Sequence, residues 1–193
     1  MPLFQKPLLI LSIIIFAFVA GGLVSHATLA QPTAPGGSIV KSICDEGTGF
    51  CSTSYLDRSF SDKFDNAYAS RICHAESTGN PFLVNDVCIS GVSPEYNVGL
   101  FQINLLINPW STSTTPQTLR QAIAIAGYDP TNTTCANAFT LVGSKCFVAD
   151  QKLLDICVNW FTQPLNNVEF AKILFSRGDW QQWRSSDLCI VTN

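Results

Sequence analysis

Residues 59–81, SFSDKFDNAYASRICHAESTGNP, are the stretch on which the fold turns. Ser59-x-x-Asp62 has the form of a capping box. Phe60, Phe64, Ala67, Tyr68, Ile72 and Ala75 then recur at helical spacing, with Arg71 inside the apolar arc. Gly79 offers a left-handed cap and Pro81 cannot continue a helix. The spacing therefore predicts a helix over about 60–77. Glu76 falls in its last turn, four residues after Ile72, at the rim of the apolar stripe. Partial burial and the negative end of the helix dipole both disfavour a carboxylate there. Both push its pKa upward, as a proton donor working near neutrality requires. His74 points to a different side of the helix and reads as a solvated histidine.

On the N-terminal side the chain changes character. Lys6 is the only charged residue before an apolar run from Leu8 to Val24, and Ser25-His26-Ala27-Thr28-Leu29-Ala30 follows with small residues at two cleavage positions. A positive start, an apolar middle and a small-residue exit make residues 1–30 a signal peptide. The alternative is a retained membrane anchor. As a helix the run would span roughly 26 Å, just short of a hydrocarbon core of about 30 Å. Either reading exports the remainder. Residues 31–43 are rich in Pro, Gly, Ser and Thr and read as a linker. That leaves 44–193 as a single folded domain.

Composition narrows the function. The 193 residues carry 11 Lys+Arg against 14 Asp+Glu, a net charge of −3, with 13% charged and 47% hydrophobic residues. No basic face is available to neutralise phosphates, which argues against nucleic acid as a partner. The hydrophobic content argues equally against intrinsic disorder. All eight cysteines (44, 51, 73, 88, 135, 146, 157 and 189) lie beyond the export segment, so they read as disulfides. No Cys-x-x-Cys occurs, and His74 is the sole imidazole after residue 30. A zinc site is therefore not expected, nor is any cofactor. The lack of Gly-x-Ser-x-Gly and of a second histidine removes a serine-hydrolase reading.

Downstream, Thr115-Pro116 suggests a cap and first-turn proline for a helix burying Leu119, Ala122, Ile123 and Ala126 and ending at Gly127. A third helix is expected over about 150–161, capped by Asp150, with Leu153, Leu154, Cys157, Val158 and Phe161 inward. A fourth would open with the capping box Asn166-x-x-Glu169 and close at Gly178. Strand signals are sparse, with a small hairpin expected between Val84 and Gln102. The class is mainly α.

Two further segments complete the pattern. Cys73-His74-Ala75-Glu76-Ser77 is followed by Tyr96-Asn97-Val98-Gly99-Leu100-Phe101-Gln102-Ile103-Asn104. Near the end come Gly178-Asp179-Trp180-Gln181-Gln182-Trp183-Arg184 and Cys189. Over residues 56–189 this resembles the lysozyme-like superfamily, most closely its small soluble-type (SLT) lytic transglycosylases. The C-terminal part is similar to chicken-type lysozymes. The resemblance implies an α+β lysozyme-like fold: a helical domain, a small hairpin or loop lobe, and a glycan cleft between them. It implies peptidoglycan glycan strands as the partner, cut at the β-1,4 bond between N-acetylmuramic acid and N-acetylglucosamine. Glu76 matches the general acid. Ser77, Asn97, Gln102 and Asn104 match substrate-binding positions. Trp180 resembles the tryptophan that abuts the acid, and Trp110 is a candidate sugar platform. Trp183 reads as core. Gly99 permits either a simple turn or close backbone approach to a sugar.

The pattern departs from chicken-type lysozymes at one place. They carry an aspartate where alignment on Gln102 puts Asn97, so the second carboxylate of a two-carboxylate glycosidase is missing from its matching position. Asp86 and Glu95 lie nearby in sequence. A single acid/base suits a lytic transglycosylase, whose sugar supplies its own 6-hydroxyl to give a 1,6-anhydro product. The alternatives are a hydrolytic muramidase and a non-catalytic glycan-binding module. The chain lacks the Ala-Tyr-Asn segment of larger transglycosylases, which leaves Tyr68, Tyr96 and Tyr128 as sources of a tyrosine contact to the acid. Eight cysteines allow 105 pairings. The resemblance implies Cys73–Cys189, sequence proximity suggests Cys44–Cys51 and Cys135–Cys146, and Cys88–Cys157 remains.

Overall fold

The computed structural model describes residues 45–88, 94–107, 114–143 and 145–189. The expected export segment, the linker, Cys44 and Trp110 lie outside them. The described chain is mainly helical with two small antiparallel sheets, an α+β arrangement. Among the described residues no helix is long and apolar enough to cross a membrane.

A 3₁₀ turn at Gly49–Cys51 leads into α1 (Thr53–Leu56) and then α2 (Lys63–Ser77). α2 starts later than the spacing suggested, because Asp62 caps it directly. Its carboxylate accepts the Phe64 N–H at 2.9 Å and the Asp65 N–H at 3.3 Å. The buried face also differs. Asn66, Ala69, Ser70, Ile72, Cys73 and Ser77 turn inward, while Phe64 is 76% exposed. Small hydrogen-bonding residues set this face: Ser70 Oγ donates to the Cys51 carbonyl at 2.7 Å and accepts the Gly47 N–H at 2.9 Å. Phe60 lies before the helix and packs in the core against Phe101, Phe175 and Trp180. α2 ends at Thr78, whose φ of 53° is left-handed, followed by Gly79 at 83°.

The hairpin expected between 84 and 102 is part of a three-stranded sheet. β1 (Val84–Asp86) pairs with β2 (Tyr96–Val98), and β2 with β3 (Ile103–Asn104). α3 (Gln117–Ile125) buries Leu119 and Ile123, with Pro116 itself at the cap position. A second hairpin, β4 (Phe139–Val142) with β5 (Lys145–Val148), is absent from the sequence reading. Its signal was present: β-favouring runs on either side of Gly143-Ser144. α4 (Gln151–Phe161) is capped as expected, Asp150 accepting the Leu153 N–H at 3.0 Å. α5 (Pro164–Gly178) begins two residues before the expected cap, on a first-turn proline. Asn166 instead donates to the Trp160 carbonyl at 3.1 Å. A 3₁₀ turn (Asp179–Gln182) and α6 (Ser185–Leu188) close the chain.

Among the described residues three disulfides staple this arrangement: Cys51–Cys73, Cys88–Cys146 and Cys135–Cys157. They indicate an oxidising, extracytoplasmic environment. They also correct every proposed pairing. Cys73 joins the start of the domain rather than Cys189, which is buried near the end of the described chain. Cys135 and Cys146 are not partners: Cys135 ties a 3₁₀ turn to α4, and Cys146 ties the second hairpin to the end of β1. The largest fully buried side chains are Phe101, Phe161 and Phe170. Each contributes about 1.5–3 kcal/mol relative to an exposed ring.

Candidate functional site

A cleft of about 240 Å³ opens between the end of α2 and the first sheet. One wall is helical: Glu76, Leu174, Gln182, Trp183 and Arg184. The other comes from the sheet and its turns: Glu95, Asn97, Gln102, Ile103, Asn104 and Ile107. The segment pair that suggested a glycan cleft is thus brought face to face.

Glu76 is half-buried in the last turn of α2. Burial pushes its pKa up, the hydroxyl of Ser185 opposes this by favouring the carboxylate, and the charge of Glu95 pushes it up further. Ser185 Oγ donates to Glu76 Oε1 at 2.6 Å from a position 109 residues away. Among the described residues this contact comes from a serine, where a tyrosine was expected. Tyr128 O–H donates to Asp150 at 2.8 Å, Tyr96 packs against Phe139, and Tyr68 lies against the core.

Glu95 reaches the same cleft. It precedes β2, and the two-residue period of a strand sets it on the same side as Asn97. The Asn97 amide donates to Glu95 Oε2 at 3.1 Å. Asp86 is exposed on β1 opposite Tyr96 and accepts the Cys88 N–H, away from the cleft. A second carboxylate is therefore present, two residues from the aligned position.

The other expected contacts divide. Gln102 lines the cleft, but its side-chain N–H groups go to the carbonyls of Gly99 at 2.9 Å and Leu83 at 3.2 Å. They hold Gln102 at a φ of 44°, in the left-handed region that a non-glycine residue rarely enters. Asn104 also lines the cleft and accepts the Leu106 N–H at 2.9 Å. Ser77 does not face it: the buried hydroxyl donates to the Cys73 carbonyl at 3.1 Å and accepts the Gly79 N–H at 3.2 Å, closing the helix end. Trp180 sits among Phe60, Phe175 and Trp183 and does not line the cleft. Trp183 takes that place, its indole N–H donating to the Phe101 carbonyl at 2.8 Å while its ring contributes to the wall. His74 is half-buried, with Nδ1 unpartnered, rather than solvated.

Sequence reasoning missed the residue that holds the strand wall. Asn167, fully buried on α5, donates to the carbonyls of Val98 at 2.9 Å and Phe161 at 3.0 Å and accepts the Phe101 N–H at 2.9 Å. Gly99, at φ 80°, lies directly against it. An added Cβ would collide with the Asn167 amide and the Phe161 carbonyl. The close approach at Gly99 is to this amide, not to a sugar. Arg184, Gln182 and Ile107 are further cleft residues the sequence did not single out.

Among the described residues no group of three or more His, Cys, Asp or Glu is placed to hold a metal ion. Comparison with protein-family models, curated proteins and solved structures gave no match. The cleft itself offers a carboxyl group with a raised pKa, a second carboxylate in the same lining, and the side chains of Asn97, Gln102 and Asn104.

Proposed function

We propose that this chain is an exported peptidoglycan lytic transglycosylase on a lysozyme-like fold, with Glu76 as its single acid/base. The observation that carries the reading is the environment of Glu76: half-buried, raised in pKa, and facing Asn97, Gln102 and Asn104 across an open cleft. The protonated acid donates to the glycosidic oxygen as the bond to C1 breaks. The 2-acetamido carbonyl of the muramyl residue stabilises the cation left behind. Glu76, now a carboxylate, accepts the proton of the sugar's 6-hydroxyl while that oxygen bonds to C1. One proton leaves and one returns, and no water is consumed.

A hydrolytic muramidase is the second reading, and one observation favours it. Glu95 shares the cleft and raises the pKa of Glu76 through its charge. A carboxylate so placed suits a partner that stabilises the cation or activates water.

Mass spectrometry of muropeptides released from purified peptidoglycan by the disulfide-formed protein tests both. Products about one water lighter than the muramidase set are expected. Reducing ends would overturn the transglycosylase in favour of hydrolysis. No release by the folded protein would leave a glycan-binding module.

A further inference from the structure

We infer that Ser185 is the positioning residue of the acid, fixing which oxygen of Glu76 carries the proton into the cleft. The inference rests on the glycan-cleaving reading of Glu76 and adds to it a residue from the opposite end of the domain. Ser185 is nine-tenths buried, and its Oγ lies 2.6 Å from Glu76 Oε1. A hydroxyl carries one proton. While that proton is given to Oε1, this oxygen is committed as an acceptor, and the proton of the acid form is directed to Oε2. Donation then comes from one oxygen in one orientation, which is where a positioned acid gains over a freely rotating one.

The placement of Ser185 is not accidental to a loose tail. Two residues earlier, the Trp183 indole is pinned to the Phe101 carbonyl at 2.8 Å and packs against the rings of Phe101 and Trp180. The Ser186 N–H closes onto the Trp183 carbonyl at 3.0 Å, and the Cys189 N–H onto the Ser186 carbonyl at 3.1 Å. The Trp183 anchor thus sets the height of α6 against the end of α2. The Trp-x-x-Trp-Arg segment serves the acid through the serine that follows it.

Among the described residues the charged groups that line the cleft with Glu76 are Glu95 from the strand wall and Arg184 beside Ser185, and His74 is the other titratable group in the last turn of its own helix. Ser185 favours the ionised carboxyl and Glu95 disfavours it. Removing the hydroxyl therefore raises the pKa of Glu76, and the high-pH limb of activity, where the acid form is lost, moves to higher pH.

The test compares the full protein with Ser185→Ala and Ser185→Thr on purified peptidoglycan across the pH range, with Tm and a ¹³C NMR titration of the Glu76 carboxyl. For Ser185→Ala we expect kcat to fall about 10- to 100-fold, KM to hold, and both the high-pH limb and the NMR titration to move up. Ser185→Thr should restore kcat and the limb. An unchanged kcat and titration in Ser185→Ala overturns the inference. So does a loss that tracks Tm, leaves the titration unmoved and is not rescued by threonine. If the unmodified protein cleaves nothing, the proposed function falls. The titration then judges the Ser185 contact separately: an upward move keeps it, an unmoved one removes it.

Discussion

The two walls of the cleft each present a glutamate and hold it by different means. The helical wall rests on covalent and aromatic support: Cys73, three residues before Glu76, is tied to Cys51, and Trp183 is locked among Phe101 and Trp180. The strand wall has short strands whose β1 end is tied to the second hairpin by Cys88–Cys146, and its turn is held by a buried amide, Asn167, which bonds to Val98 and Phe101 on either side of Gly99. Glu76 is desolvated by burial and met by a serine hydroxyl, whereas Glu95 is met by the Asn97 amide. Identical side chains are thus given different surroundings, the kind of arrangement that can set two carboxyls apart in role.

The sharpest break in the comparison is Glu76→Gln. Cleavage of peptidoglycan should fall about 10³-fold, a loss of about 4 kcal/mol of transition-state stabilisation. The fold should not suffer. Burial raises the pKa of Glu76, so the stability it contributes is full below its unfolded-state pKa and is lost as pH rises through the folded value. At neutral pH the neutral amide avoids that loss, and Tm should hold within about 2 °C or rise. Thermal melts beside muropeptide assays decide the point. Full activity in Glu76→Gln would end the catalytic reading of this wall.

Asn167→Ala attacks the other wall. Two carbonyls and one N–H lose their partner in a buried place, costing about 3 kcal/mol and lowering Tm by roughly 6–12 °C. Gly99→Ala should act at the same joint, through a collision and a left-handed φ. Hydrogen exchange is the discriminating measurement. Protection should fall first in residues 96–104 while α2 stays protected. Uniform loss would mean that the walls are not held separately.

How far each wall was legible in the sequence follows from the range of its contacts. The Asp150 cap of α4 was readable because cap and recipient are three residues apart. Glu76 was readable because its burial and helix-end position are local. Ser185 and Asn167 were not, since their partners lie 109 and up to 69 residues away. An asparagine beside a plausible cap gives no local sign that it will hold another segment's backbone. The disulfides failed for the same reason. Proximity in sequence proposed Cys135–Cys146, while the fold pairs Cys135 with α4 and Cys146 with the β1 side. Glu95 lies in between: its nearness to the aligned position is legible in the sequence, and the period-two relation to Asn97 is what separates it from Asp86.

Glu95→Gln makes the smallest change expected and separates the two enzymatic readings. Its charge raises the pKa of Glu76, so neutralising it lowers that pKa and moves the high-pH limb of activity downward, opposite to Ser185→Ala. If Glu95 acts only through this field, activity at the pH optimum should change by about two- to five-fold, as expected for a partly solvated like-charge pair. The effect should shrink as ionic strength rises. A drop of about 10²-fold or more at every pH would mean that Glu95 takes part in the chemistry itself. The same variant can be read twice, by rate and by product. A small rate change with 1,6-anhydro ends retained leaves Glu76 as the sole acid/base. A large one in a protein whose products are reducing ends makes the strand wall the source of the second catalytic carboxylate.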